Sequence, residues 1–174
     1  MNSAEFAGIL SGLVIGMILV VVLLRLTKKD YSLRCKYDER QQLVRGRGFK
    51  YGFFTLMLYD IFYGFGNVIL EKQVVDHMTA VFFGVFLGIA VYASYCIWNE
   101  GYFSLNENPK RVMLVFVILA VLNFIIFAVQ ILHGTVMEDG IITYHCVNLL
   151  CGVLFIIIFM VVFAKWFCNR REVE

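Results

Sequence analysis

Residues 54–70 read FTLMLYDIFYGFGNVIL, a run apolar and aromatic enough to cross a lipid bilayer that nevertheless carries a carboxylate, Asp60, near its middle. The composition around it favours the membrane reading. Of 174 residues, 61% are hydrophobic and only 16% charged, with a mean hydropathy of +0.80, which lies outside the range of soluble domains and is typical of polytopic membrane proteins. The formal net charge of +2 says little, because in such chains the placement of charges matters more than their sum.

A spanning helix needs about 20 mostly apolar residues to cross a hydrocarbon core about 30 Å thick. Five such runs occur, near residues 6–26, 51–70, 79–98, 112–133 and 141–167. The links at 71–78 and 134–140 are too short for a folded domain, and the link NEGYFSLNENPKR (99–111) holds the only proline, Pro109, at an expected helix boundary. The expected fold is all-α: a polytopic transmembrane helical bundle of five spans forming a single domain over residues 1–174, with a basic segment at 27–50.

Short loops keep Lys and Arg on the cytoplasmic side. Arg25, Lys28, Lys29, Arg34, Lys36, Arg40, Arg45, Arg47 and Lys50 cluster between the first two runs. Lys110 and Arg111 lie between the third and fourth, and Lys165, Arg170 and Arg171 follow the fifth. With five spans these segments share one side and only Lys72 faces the other, which orients the N-terminus outside and the C-terminus inside. The first run has no basic leader or small-residue cleavage site and is followed at once by a basic stop, so it reads as a retained anchor.

Helix 1, SAEFAGILSGLVIGMILVVVLLRL, carries Gly8, Gly12 and Gly16 four residues apart, and the third run repeats the device with Ala80, Gly84 and Gly88. Small residues at this spacing let two helix backbones approach closely, either within the bundle or against a second copy or partner subunit. The five cysteines include none in an outer loop and no C-x-x-C spacing, so no disulfide is expected.

Asp60 shares a helix face with Tyr63, Gly64 and Asn67. Asn123 and Gln130, also seven residues apart, lie on the fourth run, which crosses in the same direction, so the two pairs match in depth. Asn123 is therefore expected to reach Asp60 inside the bundle, with Asn67 and Gln130 one level further out and Asn148 on the fifth run nearby. A charged aspartate at mid-membrane costs at least about 2.5–3.5 kcal/mol, whereas a membrane hydrogen bond averages about 0.6 kcal/mol. The neutral carboxyl is thus the cheaper state. Two roles stay open for it, a hydrogen-bonding link between helices or a proton, ion or ligand site.

All three histidines, His77, His133 and His145, fall at the outer ends of helices, near Asp76, Glu138 and Asp139. Imidazoles and carboxylates are adequate zinc or copper ligands, but the spacing matches no metal motif, and interfacial histidines are the plainer reading.

The most distinctive stretch is LRCKYDERQQLVRGRGFKYGFFTL (33–56). Asp38 is placed to cap a helix with Glu39 in its first turn, and that helix can run straight into the second span. Arg40, Arg47 and Lys50 fall near one face with Arg45 off to the side, a pattern suited to lipid headgroups or to a docking partner. Within it, YDERQQLVRGRGFKYGFF resembles the juxtamembrane D-E-R-Q stretch, followed by R-G and an aromatic run, of a family of small uncharacterised multi-pass membrane proteins from Gram-positive bacteria. The resemblance implies a bacterial plasma membrane and no particular activity.

No H-E-x-x-H, G-x-S-x-G or phosphate-binding glycine loop occurs. The sequence implies no cofactor and no nucleic-acid partner. Its leading reading is a non-enzymatic plasma-membrane protein acting by association, as a homo-oligomer or an accessory subunit, with membrane lipids around it. A small transporter or ligand-binding protein centred on Asp60 is the alternative, and a membrane enzyme with an outer metal site is more distant.

Overall fold

The computed structural model describes the backbone of residues 3–30, 34–70 and 73–171 and the side chains of residues 14–30, 34–69 and 73–169. Within these limits the chain is mostly helical: α1 (Ser3–Thr27), α2 (Glu39–Leu70), α3 (His77–Trp98), α4 (Pro109–Leu132) and α5 (Val147–Arg171). Between α4 and α5 stand a short hairpin, β1 (Met137–Glu138) and β2 (Ile141–Ile142), and a 3-10 turn at Tyr144–Cys146. Four helices, α2 to α5, are long and apolar enough to cross a membrane, and α1 adds a shorter apolar stretch, Val14–Thr27, among the described residues.

The hairpin adds a short strand pair to the mostly helical fold, and α5 itself begins at Val147, inside the expected run 141–167. Asp139 and Gly140 have φ of +49° and +80°, the left-handed pair that a two-residue Asp-Gly hairpin turn requires, and they pair Glu138 with Ile141. The link before α3 docks on this hairpin, Ile142 N–H donating to Val74 O at 3.0 Å and Asp76 N–H to Ile142 O at 2.7 Å. The Asp76 side chain then caps α3 by accepting from Met78 N–H and Thr79 N–H.

α2 starts well before residue 51. Asp38 caps it, its Oδ1 accepting from Gln41 N–H at 2.6 Å. At 32 residues the helix is about 48 Å long, so its basic N-terminal part can project beyond a hydrocarbon core about 30 Å thick.

α3 is central, with α2 on one side and α5 on the other; α4 packs on α5, and α1 leans on α4. The core sits where α3 meets α5, at Ala93, Ile97, Leu154 and Ile158. Phe116 of α4 joins it through Phe155, with ring centroids 5.4 Å apart. At the basic end the α1–α2 link is tied to the α3–α4 loop through Asn106, whose side-chain amide donates to Asp30 Oδ1 (3.1 Å) and Arg34 O (2.9 Å) while its Oδ1 accepts from Ser104 Oγ (2.9 Å).

Candidate functional site

The direction in which Asp60 points is set by its neighbours on α2. Gly48, Gly52, Leu56 and Tyr59 fall on one side of the helix and meet α3. A Cβ on Gly52 would stand 2.8 Å from the Gly88 carbonyl oxygen, and one on Gly88 would stand 3.0 Å from that of Gly52, so glycine on both helices permits the approach. Gly84 leaves room for the Tyr59 ring, whose hydroxyl donates to Ala80 O at 2.9 Å. Tyr63 stacks on Tyr59, with centroids 5.9 Å apart.

Successive helical residues are turned by about 100°, so a seam through Gly52, Leu56 and Tyr59 rotates Asp60 away from α3. Asp60, Gly64 and Asn67, at i, i+4 and i+7, form a separate exposed stripe, and a Cβ on Gly64 would meet nothing within 4 Å. Among the described residues Asp60 has no hydrogen-bond or salt-bridge partner. This corrects the expected inward placement beside Asn123, whose side-chain amide donates instead to Leu119 O of its own helix at 2.8 Å. An expected match in depth says nothing of rotation; the glycine seam sets it.

Two members of the expected polar set do meet. Gln130 Oε1 accepts from Asn148 Nδ2 at 3.2 Å, and Gln130 Nε2 lies 3.1 Å from His145 Nδ1. With the Gln130 amide oriented in this way its N–H donates and Nδ1 accepts, leaving the His145 hydrogen on Nε2. The arrangement clasps α4 to the start of α5. His133 Nδ1 pairs with Val129 O at 2.8 Å, and His77 opens α3. No three His, Cys, Asp or Glu side chains converge on a metal position among the described residues, so the structure does not gather His77, His133 and His145 into a site.

The basic segment divides by face. Arg40 reaches Glu100 at 3.3 Å, while Glu39, Arg47 and Lys50 are exposed. Arg45 turns inward, its guanidinium 4.1 Å from the Tyr37 ring centroid and donating to the Tyr37 hydroxyl at 2.9 Å. Gly8 and Gly12 lie where α1 side chains are outside the described residues, and a Cβ on Gly16 would meet nothing within 4 Å.

The sequence reading missed Gly48 and Gly52, although their four-residue spacing is the signal that it recognised in α1 and α3. It also missed Asn106, which no local pattern marks. Comparison of the chain with protein-family models, curated proteins and solved structures found no match, so the functional reading rests on geometry and chemistry.

Proposed function

We propose that the chain is a five-span protein of a bacterial plasma membrane, N-terminus outside and C-terminus inside, that acts by association with a second copy of itself through the Asp60–Gly64–Asn67 stripe. The observation carrying this reading is the exposure of Asp60 midway along the apolar part of a helix long enough to cross a membrane. A charged acid facing hydrocarbon costs at least about 2.5–3.5 kcal/mol, and a neutral one still has a donor and acceptors to satisfy, so polar cover is favoured. A twofold contact presents the same patch on both partners. The stripe suits that symmetry, because a neutral carboxyl and a carboxamide each donate and accept and Gly64 lets the helices close. The basic asymmetry of the loops supports the orientation, and the D-E-R-Q resemblance supports the bacterial membrane.

Native mass spectrometry of the full chain in mild detergent tests the contact. Dimer is expected for the wild type and for Asp60→Asn, with at least about a tenfold loss for Asp60→Leu, equivalent to about 1.4 kcal/mol, at unchanged helicity. Dimer that survives Asp60→Leu overturns the reading. A different membrane protein that copurifies and is lost in Asp60→Leu transfers the stripe to that partner. For orientation, Met137→Cys is expected to react with an impermeant thiol reagent outside intact cells and Arg47→Cys is not; the reverse pattern inverts the topology.

A further inference from the structure

A cavity of about 390 Å³ lies between α1 and α4 and ends on side chains of α2 and α3 at the basic end of the bundle. Its size falls within the roughly 300–1,000 Å³ of small-molecule sites. Its character changes along its length. Val20 and Leu23 of α1 and Val115, Phe116 and Leu119 of α4 make an apolar slot, while Arg45, Tyr37, Tyr92, Tyr102 and Glu107 make the other end polar. From Val112 to Leu119, and likewise from Thr27 back to Val20, the walls run two helical turns, about 10 Å.

Arg45 gives the polar end its sign. Its guanidinium is half-buried, stacked on Tyr37 and 5.8 Å from the Tyr92 ring centroid, with no carboxylate within 4 Å among the described residues. Its guanidinium donates to the neutral Tyr37 hydroxyl, so among the described residues a fork of several N–H donors is held in place without a neutralising acceptor. Glu107, on the same rim, is engaged by its own surroundings, Oε2 accepting from Ser104 N–H at 2.9 Å and Oε1 standing 3.9 Å from Cys35 Sγ. Its negative charge disfavours a second full charge on any ligand beside it, so a monoanion is the class that the rim admits.

We propose that this cavity binds one amphiphile with a monoanionic oxyanion headgroup, the headgroup on the Arg45 guanidinium and one alkyl chain in the slot between α1 and α4. The oxyanion is the phosphodiester of a bilayer phospholipid or the carboxylate of a fatty acid, chemistries that a guanidinium fork recognises alike. Arg47 and Lys50, exposed on the same helix, attract anionic lipid without enclosing it, whereas Arg45 is the basic side chain of this segment that stands at the end of an apolar cavity. The site does not depend on the stripe of Asp60, which lies elsewhere on α2.

The test uses delipidated full-length protein in mild detergent, titrated separately with phosphatidylglycerol, oleate and neutral dioleoylglycerol and read by native mass spectrometry. Phosphatidylglycerol or oleate is expected to bind at one-to-one stoichiometry, the better of the two identifying the source, and dioleoylglycerol at least about tenfold more weakly. Arg45→Gln is expected to lose at least about tenfold in affinity, as for a hydrogen bond to a charged group, while Arg47→Gln stays within about twofold. Leu119→Trp, which fills the slot and leaves Arg45 intact, is expected to lose the ligand as well, so the proposal remains decidable if Arg45→Gln does not fold. Equal losses in Arg45→Gln and Arg47→Gln, equal binding of dioleoylglycerol, or no one-to-one complex with either anion overturns it.

Discussion

On one side of α2 a Cβ at Gly52 would lie 2.8 Å from the Gly88 carbonyl oxygen; on another, a Cβ at Gly64 would meet nothing within 4 Å. Both glycines sit on the same helix, yet one is filled by α3 and the other is open. The difference comes from the partner. α3 carries Gly84 and Gly88 opposite the seam, so two notched backbones interlock and gain the close dispersion contacts that hold helices together in lipid. Among the described residues nothing presents such a surface to Gly64. Small residues thus measure a capacity for approach, and only a matching surface realises it. The open notch is also the one flanked by a carboxyl and a carboxamide.

The sharpest way to break this contrast is to put the same side chain into both notches. Gly52→Leu drives a branched side chain against backbone, which cannot swing aside, and overpacking of this kind costs about 1–3 kcal/mol or more. It is expected to give the largest loss of thermal stability of the substitutions considered. Gly64→Leu is expected to leave monomer unfolding in detergent unchanged and to lower the dimer fraction. If both substitutions lower monomer stability equally, the two sides of α2 are not different in kind.

A second contrast sets polar groups that are satisfied against those that are not. Asn148 and His145 both bond the Gln130 side chain, so Asn148→Leu removes a made hydrogen bond and takes from Gln130 Oε1 its Asn148 donor. Measured membrane hydrogen bonds average about 0.6 kcal/mol and reach about 1.7, and a destabilisation of that order is expected. Asp60→Leu, on the side of α2 with no partner among the described residues, is expected to leave monomer unfolding unchanged or raise its midpoint. A lower midpoint in monomeric Asp60→Leu would mean that the carboxyl has a partner within the chain.

The membrane-length helices were legible because each requires only a long apolar run, a property of local sequence. The cap at Asp38 was legible for the same reason. The hairpin turn at Asp139–Gly140 carried a readable signal in its Asp-Gly pair, but its second strand, Ile141–Ile142, was absorbed into a hydrophobic run that continues into α5. The rotation of α2 needed pairwise information: Asp60 and Asn123 were expected to match in depth, while the glycines that orient the helix meet residues of α3. The Asn106 hub was not legible, because it joins residues more than 70 positions apart in the chain, and no spacing rule reaches that far.

The smallest expected effect tests whether the basic end is held by charge or by shape. Glu100 has φ of +62°, a conformation uncommon for a residue with a side chain, and its carbonyl accepts from Gln41 Nε2 at 3.1 Å. Its carboxylate meets Arg40 at 3.3 Å and Lys165 at 3.5 Å. The hydrogen bond from Arg40 and then the charge of Lys165 hold the Glu100 carboxyl below its ordinary value near 4.5. A depressed carboxyl favours the folded state in its ionised form, so its contribution is complete above about pH 4.5 and fades as pH falls through the lower, folded-state value. The group is exposed, and solvent and salt screen it, so the contribution is under about 1 kcal/mol. Glu100→Gln keeps the backbone and size but not the charge. The difference in unfolding midpoint between wild type and Glu100→Gln is therefore expected to be small at neutral pH, smaller in high salt, and absent in acid. A difference that persists in acid and in high salt would locate the hold in side-chain shape and in the left-handed backbone at this corner, with the ion pairs incidental.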